Sequence, residues 1–81
     1  MATELTLLSR SYCHLCHGME VALAPLAIEF GATVSVVDVD GDPALEARYD
    51  ELVPVLLHGD VELCHYFLDA PKVREYLAEI R

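Results

Sequence analysis

Basic residues are scarce in this chain of 81 residues: one lysine, Lys72, and four arginines face 14 carboxylates, for a formal net charge of −9. Phosphate backbones and anionic lipid surfaces are bound through clusters of Lys and Arg, so nucleic acid and membrane surfaces are excluded as expected partners. A basic face on another protein fits the charge better. Long apolar runs are also missing, and nothing in the sequence approaches the roughly 18 consecutive apolar residues of a membrane span. The stretch from Met1 to Arg10 has no cationic segment followed by an apolar core, so no export leader is expected and the reading is a soluble, cytoplasmic protein. Cysteine is limited to three residues, too few and too odd a number for a disulfide-stapled scaffold, which leaves redox or metal chemistry as their use. Repeats, linkers and low-complexity segments are absent. A hydrophobic fraction of 54% with 23% charged residues is that of a globular chain, and residues 1–81 are expected to form a single domain that buries about 60–65% of its unfolded surface.

What is present is concentrated in Cys13-His14-Leu15-Cys16. The pair follows an apolar run, Leu5 to Leu8, and opens a segment, Leu15 to Phe30, whose apolar residues recur at helical spacing. Two thiols at a strand-to-helix junction meet the unpartnered N–H groups and the partial positive charge of the helix start. A thiolate gains there, so Cys13 is expected to be more acidic than a free cysteine near 8.5, with Cys16 one turn on as the resolving partner.

The rest of the chain reads in order. Leu5-Thr6-Leu7-Leu8 is a buried strand and Ser9 to Tyr12 the loop that delivers Cys13. Leu15, Met19, Ala22, Leu23, Leu26 and Phe30 form one helical stripe, closed by Gly31, and Pro25 is expected to kink or break the helix. Val34 to Val39 is β-branched and nearly continuous in apolar character, the pattern of a strand covered on both faces. Asp42 caps a short helix from Pro43 to about Tyr49, packed through Leu45 and Tyr49. Val53-Pro54-Val55-Leu56-Leu57 is a third strand, His58-Gly59-Asp60 a tight turn, and Glu62 to Phe67 its antiparallel partner. Asp69 caps a last helix whose stripe is Val73, Tyr76, Leu77 and Ile80, with Arg81 at its end. The order βαβαββα predicts an α/β architecture, a four-stranded mixed sheet with helices on both faces.

Cys13-x-x-Cys16 after the first strand, Val53-Pro54 opening the third, and the βαβαββα order together make the chain similar to the thioredoxin-fold superfamily, and within it to glutaredoxin-like proteins. The resemblance implies a thioredoxin fold in which Pro54 is cis and faces the cysteines. Val53 then offers its main chain to an extended substrate, and Tyr12 joins Val53 and Pro54 as a substrate-binding residue. Arg10 matches a lysine that family members place near the glutathione carboxylate. Departures are visible too. The common Pro-Tyr between the cysteines is His14-Leu15 here. The Gly-Gly pair and nearby Asp that hold the γ-glutamyl end are replaced by Tyr66-Phe67-Leu68-Asp69, where Asp69 is the one candidate substitute.

The reaction implied is thiol–disulfide exchange through Cys13 and Cys16 on a protein or small disulfide. His14, if protonated, favours the Cys13 thiolate; as a neutral exposed imidazole it does not. Cys13 to His17 also spells the haem-attachment pattern, which requires export and a second axial ligand that Met19 is too close to provide. Zinc is a rival, with Cys13, Cys16 and either His17 or the Cys64-His65 pair as ligands of suitable type. A redox-inactive binding module, or an iron–sulfur centre bridged by two subunits, is the other alternative. Cys64 reads as a small core hydrophobe and His65 as its solvent-facing neighbour. The sequence therefore predicts an oxidoreductase that acts as a monomer, with no organic cofactor bound, Arg10 and His14 tuning the nucleophile, and glutathione or a recycling reductase as electron donor.

Overall fold

A computed structural model describes residues 3–11, 13–49 and 51–80. Its elements are β1 (Thr3–Ser9), α1 (His14–Phe30), β2 (Ala32–Asp38), a 3-10 turn (Val39–Gly41), α2 (Pro43–Tyr49), β3 (Val55–His58), β4 (Val61–His65) and α3 (Ala70–Ile80). The sheet runs β2-β1-β3-β4, with β1 parallel to β2 and antiparallel to β3, and β3 antiparallel to β4. The βαβαββα order and the four-stranded mixed sheet match the expected thioredoxin fold. Among the described residues no helix is long and apolar enough to cross a membrane.

Alternation along the central strands sorts the core into two clusters. Leu5, Leu7, Leu56 and Leu63 meet Met19, Leu23 and Leu26 of α1 and Val73 and Leu77 of α3. Leu8, Val55 and Leu57 meet Val39, Val53 and Cys16, with Leu45 and Tyr49 of α2 packed against them. Leu63 and Cys64, neighbours in sequence, are both buried because the ladder skips between Leu56↔Cys64 and Leu57↔Glu62 and so places an extra residue on β4.

The caps follow from side-chain chemistry. Asp42 Oδ1 accepts from the Ala44 and Leu45 amides at 3.0 and 3.3 Å, and the Asp69 carboxylate accepts from the Lys72 amide at 3.2 Å. Gly31 closes α1 at φ 66°, a left-handed conformation that lacks a Cβ penalty only in glycine. Arg74 of α3 pairs with Glu29 of α1.

Three expectations need correction. Pro25 does not break α1, which continues through it as one element. Pro25 and Val21 both face solvent, so water is available to the Val21 carbonyl that the missing N–H leaves behind. Strand β2 is not covered on both faces; it is the edge of the sheet, with Thr33, Ser35 and Val36 exposed. Its β-branched composition suits any pleated surface and carries no information about which strand lies beyond it. The stripe of α1 keeps Met19, Leu23 and Leu26 but takes Cys16 and Ala27 in place of Leu15 and Ala22, leaving Leu15 at 43% exposure.

Leu23 is 1% exposed at the centre of the larger cluster. Leu23→Ala should therefore cost about 2–5 kcal/mol in denaturant unfolding, whereas Ile28→Ser, at a site 82% exposed, should stay within about 0.5 kcal/mol of wild type.

Candidate dithiol site

Strand β1 ends at Ser9 in the middle of the sheet, and four residues later Cys13 forms the N-cap of α1 with extended backbone, φ −98° and ψ 110°. Capping positions usually hold an oxygen that accepts an unpaired helix amide. Here the acceptor is sulfur, and the Cys16 amide donates to Cys13 Sγ at 3.1 Å. The His17 amide donates to the Cys13 carbonyl at 3.1 Å, so both ends of the residue are held by the first turn. The two sulfurs are in disulfide contact across a Cα separation of 5.2 Å, within the usual range for a bridge.

The thiols differ in access. Cys13 is half-buried at the surface of the second cluster, while Cys16 is 2% exposed within it. Val53 belongs to the same cluster, and the Val53-Pro54 bond is cis. The Val53 amide donates to the Tyr49 carbonyl at 3.2 Å. Of the two main-chain groups that the resemblance offers to a substrate, the N–H is thus engaged internally.

His14, the first residue of α1, is exposed. With Ser9, Arg10, Cys13, His17 and Glu20 it lines a shallow hollow of about 410 Å³. Arg10 opens onto this hollow and is paired with Asp40, Nη2 to Oδ1 at 3.1 Å, while the Ser11 hydroxyl donates to Asp38 at 3.4 Å. Tyr12 lies outside the described residues. Cys64 sits in the larger cluster and Cys16 in the other, so of the two ligand sets expected for zinc the one that adds Cys64 and His65 to the dithiol is not brought together. Among the described residues no three His, Cys, Asp or Glu side chains are grouped to hold a metal ion.

The end of β4 departs from the sequence reading, which extended the strand to Phe67. Tyr66 takes φ 64°, unusual for a residue with a bulky side chain and a strain of about 1–3 kcal/mol. It is held there by its amide donating to the Pro54 carbonyl at 2.9 Å, its hydroxyl donating to the Glu51 carbonyl at 2.9 Å, and an edge-on contact with His65. The Phe67 amide donates to the His65 carbonyl at 2.7 Å, closing a tight turn that leaves Phe67 70% exposed. Nothing local in Tyr66-Phe67-Leu68 signals this turn; only its place opposite the missing Gly-Gly pair singles it out.

The model of the glutaredoxin-like domain (DUF836) matches residues 4–78, nearly the whole chain. The chain belongs to that family. The glutaredoxin-like domain is 30% identical over 80 residues to the uncharacterized protein Rv0508 of Mycobacterium tuberculosis, covering 93% of this chain and 82% of that one. It superposes on protein Ne2328 of Nitrosomonas europaea with a TM-score of 0.83 at 36% identity, covering 94% and 92% of the two chains. NrdH-redoxin of Escherichia coli, a glutaredoxin-like protein, shares the fold with a TM-score of 0.58 at 21% identity over 96% and 95% of the chains.

Burial raises the Cys64 thiol above its ordinary value; the Asp69 and Glu62 charges act in the same sense, and the Asp69 amide and Lys72 oppose it. As pH rises, the unfolded thiol ionises first, near 8.5, so this contribution to stability is complete below about pH 8.5 and is lost as pH climbs through the folded value. Unfolding free energy measured between about pH 8 and 10 should accordingly fall less in Cys64→Ala than in wild type.

Proposed function

We propose that this glutaredoxin-like domain is a dithiol–disulfide oxidoreductase of a reducing compartment such as the cytoplasm, with Cys13 as nucleophile and Cys16 as resolving thiol. The observation that carries this reading is the asymmetry of the pair: the half-buried sulfur caps the helix and accepts a helix amide, while its partner is buried one turn below. A nucleophile has to meet its substrate. Cys16 cannot, but it can meet Cys13.

In the reducing direction the Cys13 thiolate attacks one sulfur of the substrate disulfide. A Cys13–substrate bond forms, the substrate S–S bond breaks, and the departing sulfur leaves as a thiolate that takes a proton from solvent. Cys16 then gives up its proton and attacks Cys13 Sγ, expelling the second substrate sulfur as a thiolate that is protonated in turn, and closing the Cys13–Cys16 disulfide. Two electrons and two protons have passed to the substrate. A dithiol reductase or two molecules of a monothiol such as glutathione restore the reduced pair.

The surroundings suit this assignment. The start of α1 supplies partial positive charge and the Cys16 N–H to a developing sulfur anion. A protonated His14 adds to it. Arg10 contributes at longer range because the exposed Asp40 carboxylate neutralises much of its charge. The Val53 carbonyl is the main-chain group left to an extended substrate, and Pro54, cis and buried behind it, fixes its direction. NrdH-redoxin, which shares the fold, has a thioredoxin-like activity profile, and that precedent favours a reductase-driven cycle over one that depends on glutathione.

The variants separate the roles. Cys13→Ser should reduce disulfide exchange to background, while Cys16→Ser should still attack and accumulate a covalent adduct with substrate that intact-mass spectrometry detects. Turnover that survives in Cys13→Ser, or an adduct formed through Cys64, contradicts the assignment.

A further inference from the structure

The two edges of the sheet are built differently. Outer strand β4 carries protections usual at a free edge: an irregularity in its ladder opposite Leu56 and Leu57, and a polar pair on its surface, Glu62 with His65 at 3.2 Å. Outer strand β2 carries neither. It runs for seven residues in unbroken parallel register with β1, from Thr3↔Ala32 to Ser9↔Asp38, and between Ala32 and Val37 it holds no charge, no proline and no glycine. Its outward N–H and C=O groups face no further strand among the described residues, and such a row is a template for pairing. We propose that the occupant is a second copy of this chain, joined β2 to β2 in antiparallel sense about a two-fold axis at Ser35, so that two sheets of four strands become one of eight.

Side chains beside the seam fit this arrangement. A two-fold axis perpendicular to the sheet keeps α1 of both copies on the same face. On the outer flank of α1, Val21, Ala24 and Ile28 stand at spacings of three and four and are all exposed, Ile28 by 82%. Between that flank and β2 lies a trough of about 310 Å³, lined by Ala24, Ala27, Ile28, Val34 and Val36, with Glu20 as its one charged residue. Alignment about Ser35 sets Val34 of each copy opposite Val36 of the other, and the two flanks of α1 then face each other over the seam. Val36, 49% exposed in the single chain, becomes covered.

Charge separates a second copy from a foreign strand. The chain carries −9, so a basic partner is drawn to its acidic surfaces and gains nothing from a neutral seam. A copy is repelled everywhere except where carboxylates are few or already engaged, as they are here. Asp38 accepts from the Asp40 amide at 2.9 Å and from the Ser11 hydroxyl at 3.4 Å, and Glu29 is paired with Arg74. In the antiparallel seam Asp38 of each copy stands beside Ala32 of the other, which holds the two carboxylates roughly 20 Å apart, beyond the screening length at physiological salt. The dithiols stay open. Cys13 follows the end of β1 that lies beside Asp38, so the two sites open at opposite ends of the joined sheet.

Sedimentation equilibrium of the full chain, kept reduced so that no intermolecular disulfide contributes, is the test. A seam of one strand pair and one helix flank is near the small end of specific interfaces, so the mass should rise from monomer to dimer between about 1 and 500 μM and no further. Added salt should lower the midpoint, because it screens repulsion between two acidic chains and leaves an apolar seam intact. Val36→Lys and Ile28→Ser should each raise the midpoint about tenfold or more, since every dimer contains the changed residue twice. Val61→Lys, which places the same charge at a site 49% exposed on the opposite edge strand, should leave it unchanged. None of these readouts depends on disulfide exchange. A chain still monomeric at the highest concentration leaves the edge to a strand of another protein and overturns the inference. A dimer that salt dissociates, that survives both seam substitutions, or that Val61→Lys disrupts equally overturns it as well.

Discussion

A helix starts with amide hydrogens that have no partner of their own, and here one of them, on Cys16, is directed at the sulfur of Cys13 at 3.1 Å. The interaction joins backbone geometry to sulfur chemistry. It depends on Cys13 standing in extended conformation just ahead of the first turn, and that in turn depends on where β1 stops. Because β1 lies between β2 and β3, its end is held by two ladders. Because α1 buries Met19, Leu23 and Leu26 against the same sheet, its first turn cannot swing away. The position of one sulfur is thus the product of the core.

The same frame accounts for the division of labour between the cysteines. Helical spacing places residues three apart on one side of a turn, and the packing of Cys16 with Leu8, Val53 and Val55 draws that side inward. Cys13, as the cap, stays at the rim. Cis-Pro54, buried just ahead of β3, accepts the Tyr66 amide through its carbonyl, and its neighbour Val53 packs in the same cluster as Cys16.

Much of this was legible from residues alone, and the reasons differ from element to element. Asp42, Asp69 and Gly31 announced helix ends because their chemistry is local: a carboxylate accepts amides within its own turn, and glycine tolerates the left-handed region. The Cys-x-x-Cys pair declared itself through its place between an apolar run and a helical stripe. The cis bond before Pro54 came only through resemblance to a family, since sequence by itself favours trans. What escaped was set by distant partners. That β2 is an edge depends on the absence of a neighbour, which its valines do not encode. The outward turn of Leu15 reflects a stripe whose first buried side chain is Cys16. The left-handed Tyr66 is imposed by contacts with Glu51 and Pro54, far back in the chain, and the pairing of Arg10 with Asp40 spans 30 positions.

If the mouth of α1 stabilises a sulfur anion, its effect is seen most directly in the acidity of Cys13. The decisive measurement is an ultraviolet thiolate titration of the reduced protein, with Cys13→Ser subtracted to isolate that one sulfur. The account predicts ionisation at least about one unit below the 8.5 of a free cysteine. Titration of Cys13 at or above that value would contradict it.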